Sequence, residues 1–268
     1  MPMKVRQYGL RDMQALQSFT EMSFTDSNYI VDLVPGAWDD MERLQSFNEF
    51  AVARFTLLEY ISAAYALGEF AAYQHACGIL LKHSLHQSRT ITPPRDQLSV
   101  DLAVAISRNE INVARDIATV VLPGPELSEE DNEETIAAFI LAALLDLDYA
   151  GALKASDLLF GLCSAKKFSK HDCAIFSHWA RAASALARRD ENAFVQPLAQ
   201  LTELHRQYAE KELGRWQRGL ATELSSIHLW DWLTTALVGM AASFGYQIAP
   251  RGDISYPFFS YPWTCTSE

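Results

Sequence analysis

Two short stretches contain the side chains most often used for acid-base catalysis or metal binding. In the first, KHSLH, His83 and His86 lie three residues apart, so both imidazoles would face the same side of a helix. No carboxylate lies nearby to complete a set of ligands. Cationic side chains are favoured at the C-terminal end of a helix, so we interpret the pair as a solvated helix end.

The second stretch holds His171, Asp172, Cys173 and His178. Its two histidines are too far apart for a recognised ligand spacing, and it lies at a predicted helix start, where Asp and His serve as caps. The chain also lacks the motifs GxGxxG, GxxxxGKS, GxxxxGKT, HExxH and GxSxG. We therefore predict a protein that is not an enzyme and that needs neither a metal nor a cofactor.

The cysteines and the longest uncharged stretch favour a cytoplasmic protein. Cys77, Cys163, Cys173 and Cys265 form no CxxC pair, which predicts reduced and partly buried thiols. The first residues, MPMKVRQYGLRDM, are not followed by the apolar run of a secretory signal. The uncharged stretch 232–250 contains threonine, serine, glutamine and glycine, so we interpret it as a buried helix and predict no membrane association.

Charge is distributed unevenly along the chain. The net charge of -11 at pH 7 argues against nucleic-acid binding, which requires a basic surface. The segment from Lys154 to Arg218 has 11 basic and seven acidic residues. Between Arg115 and Lys154, in contrast, there is no lysine or arginine, but there are nine acidic residues: Asp116, Glu126, Glu129, Glu130, Asp131, Glu133, Glu134, Asp146 and Asp148.

The sequence leaves two interpretations of this acidic stretch open. Ser128 is a suitable helix cap, and the helix dipole would favour the three acidic residues that follow it. Glu133 and Glu134 would then lie beyond the first turn, where neighbouring like charges are unfavourable. The alternative is a surface that attracts a basic partner, and its residues would be Glu126, Glu129, Glu130, Asp131, Glu133 and Glu134.

The stretch ALARRDENAF, residues 185–194, resembles three earlier stretches: ALGEFAAYQHA, AISRNEINVA and LLDLDYAGA. Each has an apolar helix end, a short break, an acidic residue and a new run that contains alanine. The breaks lie 41, 38 and 42 residues apart, at Gly68, Asn109, Leu147 and Arg189. Because this period is typical of paired antiparallel helices, we predict a turn between two helices at each break.

The predicted fold class is all-α. Apolar residues recur at helical spacing, and no stretch keeps the alternation of a strand. Prolines interrupt the pattern at 93–94 and 123–125, and later helices are predicted at 148–163, 169–187, 190–208 and 225–244. We predict one domain, 1–268, built as a tetratricopeptide-like or α-solenoid-like array of antiparallel helical hairpins. It comprises an N-terminal region at 1–37, the hairpins at 38–244 and an extended aromatic tail at 245–268.

Aromatic residues are concentrated near the C-terminus. Trp230 and Trp232 of LWDWL would project about 200° apart on a helix, so at least one is predicted to lie in the core. The segment SYPFFSYPWTC, 255–265, carries five aromatic residues and two prolines that prevent a helix. Folding back over the last helices would bury these rings, and a strip that binds a partner is the alternative.

The C-terminal third resembles the all-helical immunity proteins of family 49 in bacterial polymorphic toxin systems. The resemblance lies in ALARRDENAFVQPLAQLTELHRQYAEKE, in IHLWDWLTTALVGMAASFGYQI and in the tail that follows. It implies a cytoplasmic protein that binds and neutralises a cognate toxin domain stoichiometrically, which protects the producing cell during bacterial competition. It assigns no residue a role, and it specifies neither the toxin nor the oligomeric state.

Two other classes of function remain open. A tetratricopeptide-like scaffold or regulator would bind a peptide or protein in its groove and would present a polar inner face. An enzyme would need a converging acid-base set. A neighbouring gene for a large secreted protein would favour immunity, whereas a metabolic operon would favour an enzyme.

Overall fold

The computed structural model describes residues 3–4, 54, 57–58, 60–61, 64, 70–90, 95–123, 126–218, 231–246 and 248–249. Within this part, a two-residue strand β1 pairs in parallel with a second, β2, at Met3–Lys4 and Ile248–Ala249. The remaining regular structure is helical, as predicted. The helices are α1 (Phe70–Thr90), α2 (Arg95–Ser107), α3 (Ile111–Val121), α4 (Glu133–Leu145), α5 (Tyr149–Ser164), α6 (Lys170–Ala187), α7 (Glu191–Gln217) and α8 (Trp232–Ser243).

Local capping explains where several helices begin. Asp148 and Ser169 accept hydrogen bonds from the backbone N–H groups of Gly151 and Asp172, so α5 and α6 begin within one residue of the predicted positions. Helix α7 runs past its predicted end at 208. Helix α8 begins later than predicted because Asp231 caps it by accepting from Thr234 N at 2.9 Å.

The turns between helices depend on residues with a left-handed backbone. Asn109, Leu147 and Arg189 have φ of 58°, 62° and 57°, and Lys166 and Gly245 share this conformation. After each, the next N–H donates to a carbonyl five residues back, which is the Schellman arrangement. Three of the four predicted breaks are therefore confirmed as turns, including the one in ALARRDENAF, and Gly68 lies outside the described residues.

The acidic residue after two of the breaks also caps the next helix. Asp148 ends the turn after α4 and also caps α5, and Asp190 does the same between α6 and α7 by accepting from Ala193 N at 3.0 Å. Glu110 differs, since its carboxylate pairs with Arg108 Nε at 2.7 Å and makes no cap. Few residues separate α2 from α3, α4 from α5 and α6 from α7, so each of these pairs is joined by a tight turn.

Helices α2, α4 and α6, here called the inner helices, are covered by the others. Helix α2 packs on α4, α4 contacts α6, and α8 packs on α2 while also contacting α4 and α6. Every residue of α2 from Asp101 to Ser107 is buried. Alanines at 137, 138, 142 and 143 of α4 are fully buried and let neighbouring helices approach closely. The wider repeat arrangement stays a prediction.

A buried ion pair lies where α1 meets α2. Arg54 Nε donates to Asp101 Oδ1 at 2.8 Å, and Ser84 Oγ donates to Asp101 Oδ2 at 2.7 Å. Asp101 is 1% exposed and Arg54 17% exposed. A charge at this depth is tolerated only with such partners.

We expect Asp101→Ala to lower the free energy of unfolding by about 3 kcal/mol, because it leaves the Arg54 charge without its partner. Urea unfolding measures the change, with Asp157→Ala on exposed α5 surface as the control. The double variant Arg54→Met, Asp101→Leu should recover part of the loss, since an apolar pair leaves no buried charge. Equal stability of Asp101→Ala and the wild type would contradict this role.

Leu147→Gly should raise the free energy of unfolding by about 1 kcal/mol, because glycine adopts the left-handed conformation without steric cost. Leu147→Ala is the matched control, since it truncates the same side chain but keeps the Cβ atom that causes the strain. Thermal unfolding followed by circular dichroism separates the two. A glycine variant no more stable than the alanine variant would show that the turn is unstrained.

Candidate functional site

The inner helices begin at one end of the molecule, and acidic residues collect there. The first turns of α2, α4 and α6 contain Asp96, Glu133 with Glu134, and Asp172. A helix N-terminus carries a partial positive charge that favours such residues. We call these four carboxylates, together with the loop 126–131 that leads into α4, the acidic end.

The start of α4 differs from the prediction. Its cap is Asn132, whose Oδ1 accepts from Thr135 N at 2.8 Å, so the expected cap at Ser128 is wrong. Ser128 instead forms a local turn, in which its N–H donates to Asp131 Oδ2 at 2.7 Å. Glu133 and Glu134 therefore occupy the first turn, where the helix dipole favours them.

Burial raises the pKa of both glutamates in spite of that dipole. The carboxylate of Asp172 also raises the pKa of Glu133. The pKa of Glu134 is raised further by the carboxylates of Glu133, Asp96 and Asp172. Hydrogen bonds from their own backbone N–H groups lower both pKa values, but this effect is smaller than that of burial. The carboxylates of three helices are thus close enough to repel one another, and cations from a partner would relieve this repulsion.

The six predicted partner-binding residues are not equivalent. Glu126, Glu129 and Glu130 are exposed, while Asp131, Glu133 and Glu134 are partly buried. The structure brings Lys167 within 3.9 Å of Glu129, so the acidic stretch is not wholly unopposed. With both side chains more than half exposed, this pair contributes little to stability.

The remaining acidic residues of the stretch lie elsewhere. Asp146 and Asp148 flank the turn at the opposite end of α4, and Asp116 lies on α3. The sequence analysis missed Asp96 and Asp172 as members of the acidic end. Both residues could have been recognised in the sequence as acidic residues in the first turn of a helix. Asp96 follows Pro93-Pro94, and Asp172 follows the cap Ser169.

The predicted histidine clusters form no site of their own. His83 is 3% exposed, so its interpretation as a solvated helix end is wrong: α1 continues past it to Thr90 and buries that face. His171 stacks on Tyr208 with the ring centroids 4.7 Å apart. Within the described ranges, no three His, Cys, Asp or Glu side chains come together in a way that would hold a metal ion.

The three cysteines of the described ranges form no disulfide, and two of them are buried. Burial raises the pKa of Cys77 to about 12 and that of Cys163 to about 11, so neither is a thiolate at neutral pH. Cys173 is partly buried, and Cys265 lies outside the described residues.

The aromatic predictions are tested only in part. Trp232 is 3% exposed, as expected of a core residue, and α8 is a buried helix as predicted. Trp230 and the tail 255–265 lie outside the described residues. No helix among the residues described is both long and apolar enough to cross a bilayer.

Comparison with known proteins places the chain in no established group. No protein-family model, no curated protein and no solved structure matches it. The described part of the chain belongs to the helical class of proteins. It contains no membrane-spanning helix, and acidic side chains gather where its inner helices begin.

We expect Glu134→Gln to raise the free energy of unfolding at neutral pH. The folded-state pKa of Glu134 lies above its unfolded value, so the fold loses stability as the pH rises through the folded pKa. The gain from Gln should vanish below about pH 4, where the carboxyl group is protonated in both states. Urea unfolding across this pH range measures it.

Glu130→Gln is the matched control for this experiment, because it removes the same charge from an exposed side chain of the same region. Its stability should follow that of the wild type within about 0.5 kcal/mol at each pH. If Glu134→Gln were less stable than the wild type at neutral pH, the ionised carboxylate would be stabilising and the acidic end would not be under repulsion.

Proposed function

We propose that this chain binds a protein with a basic surface through its acidic end. The observation that carries the proposal is the meeting of Asp96, Glu133, Glu134 and Asp172 from three helices, with burial and mutual repulsion raising the pKa of both glutamates. Lysine or arginine side chains of a partner would lower these pKa values and gain energy from doing so.

The acidic end is suited to recognition more than to catalysis. The carboxylates of Asp96, Glu133, Glu134 and Asp172 lie on the first turns of packed helices, so their spacing is fixed before a partner arrives. A preformed charge pattern raises the encounter rate and selects orientation. We accordingly propose a stoichiometric binding protein that is not an enzyme.

We further propose that the partner is a bacterial toxin domain and that this chain is its immunity protein. The support is the resemblance of the C-terminal third to family 49 immunity proteins, together with a preformed acidic surface of the kind that a basic toxin would require. Binding in the cytoplasm would block or distort the active surface of the toxin and so protect the producing cell.

The second candidate is a tetratricopeptide-like scaffold, and we interpret the succession of hairpins as such an array. A scaffold of this kind would bind a peptide along its inner helices. Helix α8, however, packs on α2 and contacts α4 and α6, so the chain itself covers much of that face. This observation favours the acidic end over a groove as the binding surface.

The triple variant Glu130→Gln, Glu133→Gln, Glu134→Gln should bind the partner more slowly and with a flatter dependence on salt. Where a gene for a large secreted protein lies beside the gene for this chain, the partner to use is the C-terminal domain of that protein, first co-expressed with this chain to establish protection. Removal of three charges should lower the association rate several-fold at low salt, and by less at 0.15 M, where screening acts beyond about 8 Å. Stopped-flow or biosensor kinetics measure both.

The matched control is Asp116→Asn, Asp157→Asn, Asp190→Asn, which makes the same change in net charge on exposed residues away from the acidic end, and asparagine at 190 keeps the oxygen that accepts from Ala193 N. Its association kinetics should be close to those of the wild type. If both triple variants slowed association equally, the slower association would come from net charge alone and not from the acidic end. If neither variant affected binding, the partner would dock elsewhere. A chain that fails to protect cells from its neighbour's domain would remove the toxin proposal.

A further inference from the structure

A cleft lies at the opposite end of the inner helices from the acidic end. It has a volume of about 610 Å³ and is bounded by the C-terminal ends of α2, α4 and α8 and by the turn after α6. Much of its lining is apolar, with Ile106, Leu144, Met240 and Phe244 among the contributors. Because it is bounded by helix ends and tight turns, its shape is fixed by the fold.

The charged lining of the cleft is of one sign. Arg115 and Arg189 are the charged residues that line it in the described part of the chain, and no carboxylate does. The guanidinium carbon of Arg189 lies 3.5 Å from the centroid of Phe244 and 5.1 Å from that of Tyr149, whose hydroxyl accepts from Arg189 Nη2. This stacking holds one cation in place over apolar surface and leaves other N–H donors for an anion. We call the feature the arginine cleft.

Leu147, at the edge of the cleft, has an unfavourable position in two respects. Its backbone is left-handed, with φ of 62°, which is strained for any residue with a Cβ atom. Its side chain is 59% exposed. No other large hydrophobic residue in the described part of the chain is exposed to a similar extent. Asn109 occupies the equivalent position after α2, so a polar residue suits such a turn. Leucine at this position has neither the tolerance of asparagine for a left-handed backbone nor the burial of a core side chain.

We propose that the arginine cleft binds a segment of a partner protein in which a leucine or aromatic side chain lies next to a carboxylate. The apolar side chain would pack between Leu147, Met240 and Phe244, and the carboxylate would pair with Arg115 and Arg189. Asp146 and Asp148 flank Leu147 outside the lining, so they disfavour further acidic residues on that side and orient the segment.

This inference is independent of the proposed function. Helix α4 has 13 residues, which places the cleft about 20 Å from the acidic end. The two surfaces select opposite charges, so one basic patch cannot satisfy both. A partner that engages both ends must carry separate basic and acidic-apolar elements.

The experiment uses the full chain and 8-anilinonaphthalene-1-sulfonate, a probe that combines apolar rings with a single anionic group. We expect a saturable rise in fluorescence with one site per chain. Leu147→Asn, which tolerates the left-handed backbone, should weaken binding about tenfold, and Arg115→Gln about fivefold. Lys154→Gln, the same charge change on an exposed residue outside the cleft, should have no effect.

Competition with short peptides tests the chemistry of the occupant. Acetyl-Gly-Phe-Glu-Gly-amide should displace the probe several-fold more effectively than the matched peptide with Gln in place of Glu. Circular dichroism of each variant checks that the fluorescence comes from folded protein. Non-saturable fluorescence, equal binding by Leu147→Asn and wild type, or equal displacement by the two peptides would each overturn the proposal. Absence of probe binding to the full chain would also overturn it, since the chain's own residues would then close the cleft.

Discussion

A single left-handed residue followed by an acidic cap sets the geometry on which the rest of this molecule depends. At Leu147 and Arg189 the Schellman hydrogen bonds end one helix, and the next residue, Asp148 or Asp190, caps the following one. The chain therefore changes direction within a few residues at each of these two points. The starts of α2, α4 and α6 lie close together, since Asp96 and Asp172 both raise the pKa of Glu134, and the ends of α2 and α4 meet the turn after α6 at one cleft. These three inner helices thus run in the same direction.

This common direction brings together side chains from distant parts of the sequence. Acidic residues favour helix starts, so Asp96, Glu133, Glu134 and Asp172 gather although they are far apart in sequence. At the other end the same helices finish around Arg115, Arg189 and the exposed Leu147. Each end has a distinct chemistry for a simple reason: aligned helices present their starts together and their ends together.

Sequence reasoning succeeded where local chemistry decides the structure. The sequence predicts breaks at Asn109, Leu147 and Arg189 because each follows an apolar helix end and precedes an acidic residue and a new run that contains alanine. Ser128 is predicted as a cap because serine suits that position and three acidic residues follow it, which the helix dipole would favour. A local turn used both side chains, and Asn132 capped α4 instead. Two adequate caps four residues apart differ too little in energy for sequence to choose between them.

The remaining failures arise from contacts between distant segments. The Glu129–Lys167 pair, the repulsion of Glu134 by Asp96 and Asp172, and the burial of His83 depend on how helices pack. Periodicity predicts that a helix has a buried face without specifying its neighbours. Six of the eight acidic residues of the acidic end form one stretch of sequence and could be recognised there, whereas Asp96 and Asp172 are brought to it by the fold.

The packing of α8 on α2 also has a consequence for the order of folding. The hairpins join segments close in sequence and can form early, whereas Trp232 follows the end of α2 by more than 120 residues. During synthesis α2 is made well before α8, which packs on it. At ordinary elongation rates the apolar surface of α2 therefore stays without α8 for roughly ten seconds. The last described helix thus acts as a closing step. A nascent chain stopped before α8 would present the buried face of α2 to chaperones and to other unfinished copies.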